Sequence, residues 1–302
     1  MNAQIQRAVM ACKISLSLLG LLWGWATGQG WLGLVAAVAI FCFSGLFILL
    51  GLLVLRRVNR GAPHLPTRAL LGAWWREWSA FERVFSWQQP FATQRYPDYL
   101  PATCRERGVL LVHGFTCNRG LWNGWMKRLG EQSTPFVALT LEPAFGSIDA
   151  YAEQIEAGVQ ALLRLGGPPP VIVAHSMGGL AVRAWLRRYG DGPGGAPRLA
   201  HVMTLGSPHQ GTLMARFSPA RNARQMRIGN AWLAELARSE APELRALFSC
   251  YFSYFDQVVC PVRTAVLTGA REIEVPHSGH MGLLDHPRAF ADLQQWLAEK
   301  KP

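Results

Sequence analysis

Two long apolar runs open the chain and set its first elements. Between Ala8 and Leu55 the only charged side chain is Lys13. The run from Trp31 to Leu55 is 25 residues without a charge, enough to cross a bilayer with some tilt. The run from Ile14 to Thr27 is shorter and spans only if it begins near Ala8, with Lys13 snorkelling to the interface. Thr27, Gly28, Gln29 and Gly30 make a tight loop between them. The pattern predicts a transmembrane helical hairpin over residues 1–60. A cleaved signal peptide is the competing reading, but no small-x-small cleavage site follows and a longer apolar run comes directly after.

Residues 61–100 read as an amphipathic connector. Leu70, Trp74, Trp78, Phe81 and Phe85 recur at spacings of three and four, which is one helix face. Trp75 and Trp87 widen that face, and Arg76, Glu77, Glu82 and Arg83 are expected off it. The stripe suits the headgroup layer or the surface of a globular domain. From Gly108 the period changes. VLLVH (109–113), FVALTL (136–141), VIVAH (171–175) and HVMTLG (201–206) alternate with helical stretches at 123–132, 148–165 and 178–189. Buried strands alternating with helices predict an α/β fold, a mostly parallel sheet covered on both faces, over residues 101–302. GGPPP (166–170) and DGPGGAP (191–197) read as loops.

Charge sharpens the membrane reading. Arg7 and Lys13 precede the first helix, and Arg56, Arg57, Arg60 and Arg68 follow the second, while the loop between carries none. Basic flanks stay inside, so the globular part is expected on the cytoplasmic face of the inner membrane. The net charge of +11 suits anionic lipid. No zinc spacing, recognition helix or RNA-binding aromatic motif points to nucleic acid. The six cysteines form no C-x-x-C pair and read as free thiols. Cys250 and Cys260 would pair only in an exported domain.

VIVAHSMGGL (171–180) carries the chemistry. Four strand-formers run into His175 and Ser176, and two glycines open an apolar helix. This places a serine hydroxyl on a sharp strand-to-helix turn. Small residues are required two before and two after it; they are Ala174 and Gly178, where the usual pattern has glycine at both. LLVHGFTC (110–117) ends a strand at His113-Gly114, so the N–H of Phe115, with that of Met177, is positioned to bind an oxyanion. His113 reads as structural. A base is expected in EIEVPHSGHMGLL (272–284): His280, with His277 as the alternative. The acid should lie between serine and base; Asp256, after an aromatic strand-like run, fits best.

These motifs together resemble the bacterial triacylglycerol lipase/esterase-like group of the α/β-hydrolase superfamily, over about residues 108–300. The marks are HGF (113–115), TLEPAFGSIDAYAEQI (140–155), AHSMGGLAVRAWL (174–186), TLGSPHQGT (204–212), FDQVVCP (255–261) and SGHMGLL (278–284). The resemblance implies Ser176 as nucleophile, Asp256 and His280 as its partners, Phe115 and Met177 as oxyanion donors, and no metal or organic cofactor. His209, in a structural turn of that group, is left out. The N-terminal anchor departs from the group's secreted lipases. Residues 213–247, with Arg216, Arg221, Arg224 and Arg227, are expected to form a cap or lid. The expected activity is hydrolysis of lipid or acyl esters at a membrane. The alternatives are an acyltransferase using the same acyl-serine and a catalytically silent membrane scaffold.

Overall fold

A computed structural model describes residues 2–59, 66–190 and 198–299. The loop expected at 191–197 and the start of the connector, 60–65, lie outside them. The chain opens with α1 (Asn2–Ala26) and α2 (Gly30–Val58), joined by a turn with Gly28 at φ 71°. Both are long and apolar enough to cross a membrane. They cross closely: a Cβ on Gly33 would stand 2.6 Å from the Gly20 carbonyl oxygen, and one on Gly24 2.7 Å from the Gly33 Cα. Small residues let apolar helices touch backbone to backbone. The rest of the pair is an apolar surface with Trp25, Trp31 and Phe43 outward.

The connector is α3 (Thr67–Glu82), a π-helical turn (Arg83–Gln88) and the short α4 (Gln89–Phe91). The aromatic stripe packs partly on α2 and partly, through Phe81 and Phe85, against the core of the sheet domain. Trp74 and Trp78 pack on α2, where their indole N–H groups donate to the Gly45 carbonyl (2.7 Å) and the Ser44 hydroxyl (3.1 Å). Trp75 and Trp87 stay exposed. One expectation is corrected. Glu77 lies not off the packed face but inside it, 1 % exposed. The fully buried stripe is Leu70, Ala73, Glu77, Ala80 and Val84, one step round the helix from the large aromatics.

The remainder is a six-stranded, all-parallel sheet in the order β2-β1-β3-β4-β5-β6. The strands are β1 (Val109–Val112), β2 (Phe136–Ala138), β3 (Val171–His175), β4 (His201–Leu205), β5 (Phe248–Phe252) and β6 (Arg271–Glu274). The helices α5 (Asn123–Glu131), α6 (Ala152–Leu163) and α7 (Met177–Tyr189) fall between them, and α12 (Pro287–Ala298) follows the short α11 (Gly282–Asp285). The inner strands β1, β3, β4 and β5 are buried at every position, as a sheet covered on both faces requires. One core lies against α6 and α7, with Ile155, Val159, Leu180 and Trp185. The other lies against α5 and α12, with Trp122, Trp125 and Phe290. A third cluster joins the two parts of the chain: Ile48, Leu52 and Leu55 of α2 meet Leu70, Ala73, Phe255 and Cys260.

Residues 213–247 carry a short 3-10 turn and three short helices, α8 (Arg221–Gln225), α9 (Ala231–Arg238) and α10 (Pro242–Ala246). Arg183 of α7 grips the link between α9 and α10. Its Nε and Nη2 donate to the two Glu240 carboxylate oxygens at 2.5 and 3.0 Å, and Nη1 donates to the His209 carbonyl at 2.8 Å. Both side chains are nearly inaccessible. All six cysteines are free thiols, Cys250 and Cys260 included.

Removing one partner strands a buried charge, so Glu240→Ala should cost about 3–5 kcal/mol in denaturant unfolding. The exposed pair Arg188–Glu153 provides the contrast, and Glu153→Ala should cost under about 1 kcal/mol. Equal losses would contradict this assignment of the pair.

Candidate active site

The sheet order reverses between β1 and β3: the chain moves outward from β1 to β2, then returns to place β3 on β1's other side. A crevice opens at such a point, beyond the carboxyl ends of the two strands. The loop after β1 and the turn after β3 therefore face one another by topology. Ser176 sits in that turn at φ 55°, ψ −129°, a conformation that costs an ordinary residue on the order of 1–3 kcal/mol. Its N–H donates to the Leu205 carbonyl of β4 (2.9 Å). Met177 begins α7, so its N–H has no carbonyl partner inside the helix. Across the crevice a Cβ on Gly114 would stand 2.7 Å from the Ser176 Cβ and 3.3 Å from its Oγ. Only glycine lets the Phe115 loop lie that close. His113 holds this loop: its Nε2 accepts from the Leu141 N–H and its Nδ1 lies 2.8 Å from the Gly114 carbonyl. Burial pushes its pKa down to about 4, so it stays neutral and structural.

Asp256 and His280 arrive from the loops beyond β5 and β6. The Asp256 Oδ2 lies 2.8 Å from the His280 Nδ1. The carboxylate can only accept, so Nδ1 carries the proton and Nε2 is left as an acceptor. The other carboxylate oxygen accepts from the Val258 and Val259 N–H groups (2.9 and 2.8 Å), which fixes the acid's rotamer. His175, the residue before the serine, lies with its ring centroid 4.6 Å from that of His280. Its Nε2 is 3.1 Å from the His280 carbonyl. Ser176, Asp256 and His280 are 8, 1 and 5 % exposed. Asp256 and His280 are thus bonded, and His175 touches His280; Ser176 Oγ itself makes no hydrogen bond with any described residue. His277, the alternative base, packs its ring on Phe255 instead.

Glu77 is the residue the periodicity missed. Its carboxylate accepts from the N–H of Met281 (2.9 Å to both oxygens), the N–H of Gly282 (2.9 Å) and the Gln257 amide (2.8 Å). These donors are the two residues after His280 and the one after Asp256. A Cβ on Gly279 would fall 2.4 Å from the Glu77 Oε2, so the loop can close on the carboxylate only with glycine there. Burial pushes the Glu77 carboxyl above the usual range, and its N–H donors and the His280 charge pull it partly back. The His280 pKa stands above the ordinary histidine value. Burial acts to lower it, but the Asp256 charge and hydrogen bond, with the Glu77 charge, outweigh that. No group of three or more His, Cys, Asp or Glu suited to a metal occurs among the described residues.

A parallel sheet with a strained serine at its switch point, next to a histidine that touches a bonded Asp–His pair, defines the class as an α/β-hydrolase fold. Residues 109–267 match the model of the alpha/beta hydrolase family, and the chain belongs to that family. No curated protein matches it. Among solved structures it is similar to the mature form of the Bacillus licheniformis lipase BlEst2, at 14% identity and a TM-score of 0.55, over 67% of this chain and 94% of that one. It is also similar to Aspergillus fumigatus lipase B, at 16% identity and a TM-score of 0.53, over 65% of this chain and 54% of that one. At such identities the likeness is one of fold.

Glu77→Ala should destabilise the full chain by about 3 kcal/mol, because buried N–H groups lose their acceptor. Denaturant unfolding in detergent micelles reads it, and a loss under about 0.5 kcal/mol would show that water satisfies those donors.

Proposed function

We propose that this chain is a membrane-anchored serine hydrolase of carboxylic esters, of the lipase/esterase type, with Ser176 as nucleophile. The observation that carries the reading is the 2.8 Å Asp256–His280 bond beside a serine held at φ 55°. In this reading Ser176 Oγ meets the Nε2 of His280 in the substrate complex, since such catalytic contacts often tighten only with substrate bound. His280 takes the proton as Oγ attacks the ester carbonyl. Asp256 holds the imidazole tautomer and stabilises its cation. The N–H groups of Phe115 and Met177 bind the tetrahedral oxyanion, each worth roughly 3 kcal/mol. His280 returns the proton to the leaving alcohol. Water, activated by the same imidazole, then releases the acid from the acyl-serine.

The ester class and the membrane rest on several supports. The structural neighbours named above are lipases. Two apolar helices carry outward tryptophans at their joining turn, Trp25 and Trp31, and the connector carries Trp75 and Trp87, which matches two interfacial belts. The basic residues flank both outer ends of the hairpin, which favours the cytoplasmic face for the hydrolase fold. Residues 213–247 serve as the cap; Arg216, Arg221 and Arg224 are exposed there beside Phe217.

A fluorophosphonate probe should label wild type at Ser176 and leave Ser176→Ala unlabelled. Hydrolysis of aryl esters should fall by about 10⁴-fold or more in Ser176→Ala. Labelling that persists in the variant would reject the nucleophile. Only neutral imidazole can accept the serine proton, so kcat/KM should rise with pH through the His280 pKa. Its acidic limb should lie above 6.5, the ordinary histidine value. Because the Glu77 charge helps raise that pKa, Glu77→Gln should move the limb to lower pH. An unmoved limb would remove Glu77 from the electrostatics of the base.

A further inference from the structure

We infer that the N-terminal hairpin, the connector and the oxyanion loop together form an acyl-chain groove that brings the lipid tail from the bilayer to the serine. The inference rests on the ester-hydrolase reading and adds to it a binding site for a long hydrocarbon chain. A cavity of about 800 Å³ runs along α1 from Asn2 to Leu16, a rise of about 21 Å at helical pitch. Val9 and Leu16 of α1 form one wall, Ala39 of α2 and Phe85 of the π-helical turn the other, and Thr116 and Phe145 the inner end. Most of this lining lies outside the stretch shared with the hydrolase family, 109–267.

Four observations choose the occupant. First, the lining is apolar, and its polar groups are already satisfied. Lys13 pairs with Glu82 at 3.2 Å, and the hydroxyls of Ser44 and Ser86 donate to the same carboxylate. A ligand of that surface must be apolar. Second, the inner end continues into the oxyanion loop. Thr116 follows Phe115, and the Phe145 ring packs edge-on against the Phe115 ring at 5.9 Å. Third, that end is held rigidly by the start of α1. Asn2 donates to the Cys117 carbonyl (2.6 Å) and Gln6 to the Thr116 carbonyl (2.8 Å). Fourth, geometry puts the outer end in hydrocarbon. From Trp31 at the joining turn to Gly45, where Trp74 of the connector docks, α2 rises about 21 Å. The hydrocarbon core is about 30 Å thick. A spanning hairpin therefore carries the outer end of the groove, at Leu16 and Ala39, below headgroup level while the connector stays near the interface, so that end opens toward lipid tails. A chain entering sideways exchanges one apolar environment for another and brings its ester to Ser176 without crossing water.

The test uses the full chain in phospholipid nanodiscs. Ser176 labelling by hexadecyl and ethyl fluorophosphonates is timed, and the ratio of the two rates is taken. Ala39→Trp and Val9→Trp, each filling the groove from an exposed position, should lower that ratio by about tenfold, about 1.4 kcal/mol, because the indole obstructs the long chain and leaves the short one free. Val38→Trp, on the outward face of α2 and outside the lining, should leave it as in wild type. A ratio unchanged in both groove variants, or lowered equally by Val38→Trp, overturns the groove. If neither probe labels wild-type Ser176, the ester-hydrolase reading fails on its own, and a second measurement decides the groove. A palmitic-acid analogue with a terminal diazirine is photolysed in the same nanodiscs. Adducts on residues 2–16, 39–44 and 81–86 that free palmitate competes away, and that Ala39→Trp removes, support it. Adducts spread over the outward faces of α1 and α2, without competition, overturn it.

Discussion

One buried carboxylate ties the N-terminal helical part of this chain to its candidate active site. Placing Glu77 out of water is costly, and the cost is offset only if every lone pair finds a donor. The donors are two backbone N–H groups next to His280 and an amide next to Asp256. Each is a group that would itself be buried and unsatisfied without the carboxylate. The arrangement is therefore mutual: the connector helix is fixed by the loops, and the loops are fixed by the connector. It spans two chain segments some two hundred residues apart, and it sets the distance between Asp256 and His280 by gripping the residue after each.

The strand–serine–helix turn was legible because its demands are local. A strained φ, small neighbours and a glycine-opened helix are all written within ten residues. The order of serine, acid and histidine along the chain then narrowed the partners to one loop each, and the structure puts Asp256 and His280 in contact. Strand ends were less legible; FVALTL reads as six residues of strand, yet β2 stops at Ala138, after which Leu141 turns to bond His113. Glu77 was not legible by periodicity, for a specific reason. The bulky residues Trp74, Trp78 and Phe81 mark the face toward α2, and the eye follows them. The tightest face is one step round, where Ala73 and Ala80 flank Glu77 at helical spacing. Small residues on both sides of a charged one, beside an aromatic stripe, signal close packing as clearly as the aromatics do. The π-helical turn that follows shifts the phase once more, so no single stripe carries through to Phe85.

The electrostatics of the crevice follow from the same packing. Three histidines line the crevice, and burial acts to lower the pKa of each, but neighbouring carboxylates set one apart. His113 and His175 are driven well below the ordinary histidine value and stay neutral, one accepting a backbone N–H and one lying against the His280 carbonyl. His280 is driven the other way because two carboxylates face it. A neighbouring cation would oppose the imidazolium that forms when the base takes a proton. Neutral His175 at 4.6 Å avoids that penalty, whereas a charged one would not.

A simple tether needs only one flexible junction, and the N-terminal helix pair has two docked ones. The start of α1 donates through Asn2, Gln6 and Arg7 to the carbonyls of Cys117, Thr116 and Pro90, beside the oxyanion loop. The end of α2 packs Leu52 and Leu55 on Phe255 and offers the Asn59 side-chain oxygen to the Val262 N–H, beside the acid loop. The two ends of the hairpin thus hold opposite sides of one crevice. A helix pair that only positioned a soluble body near lipid would gain nothing from such bonds, since each orders a side chain at an entropic cost. Their placement makes sense if the hairpin is a wall of the site. The same apolar surface that would hold the protein in a bilayer then also sets the separation between the Phe115 loop and the Asp256–His280 pair.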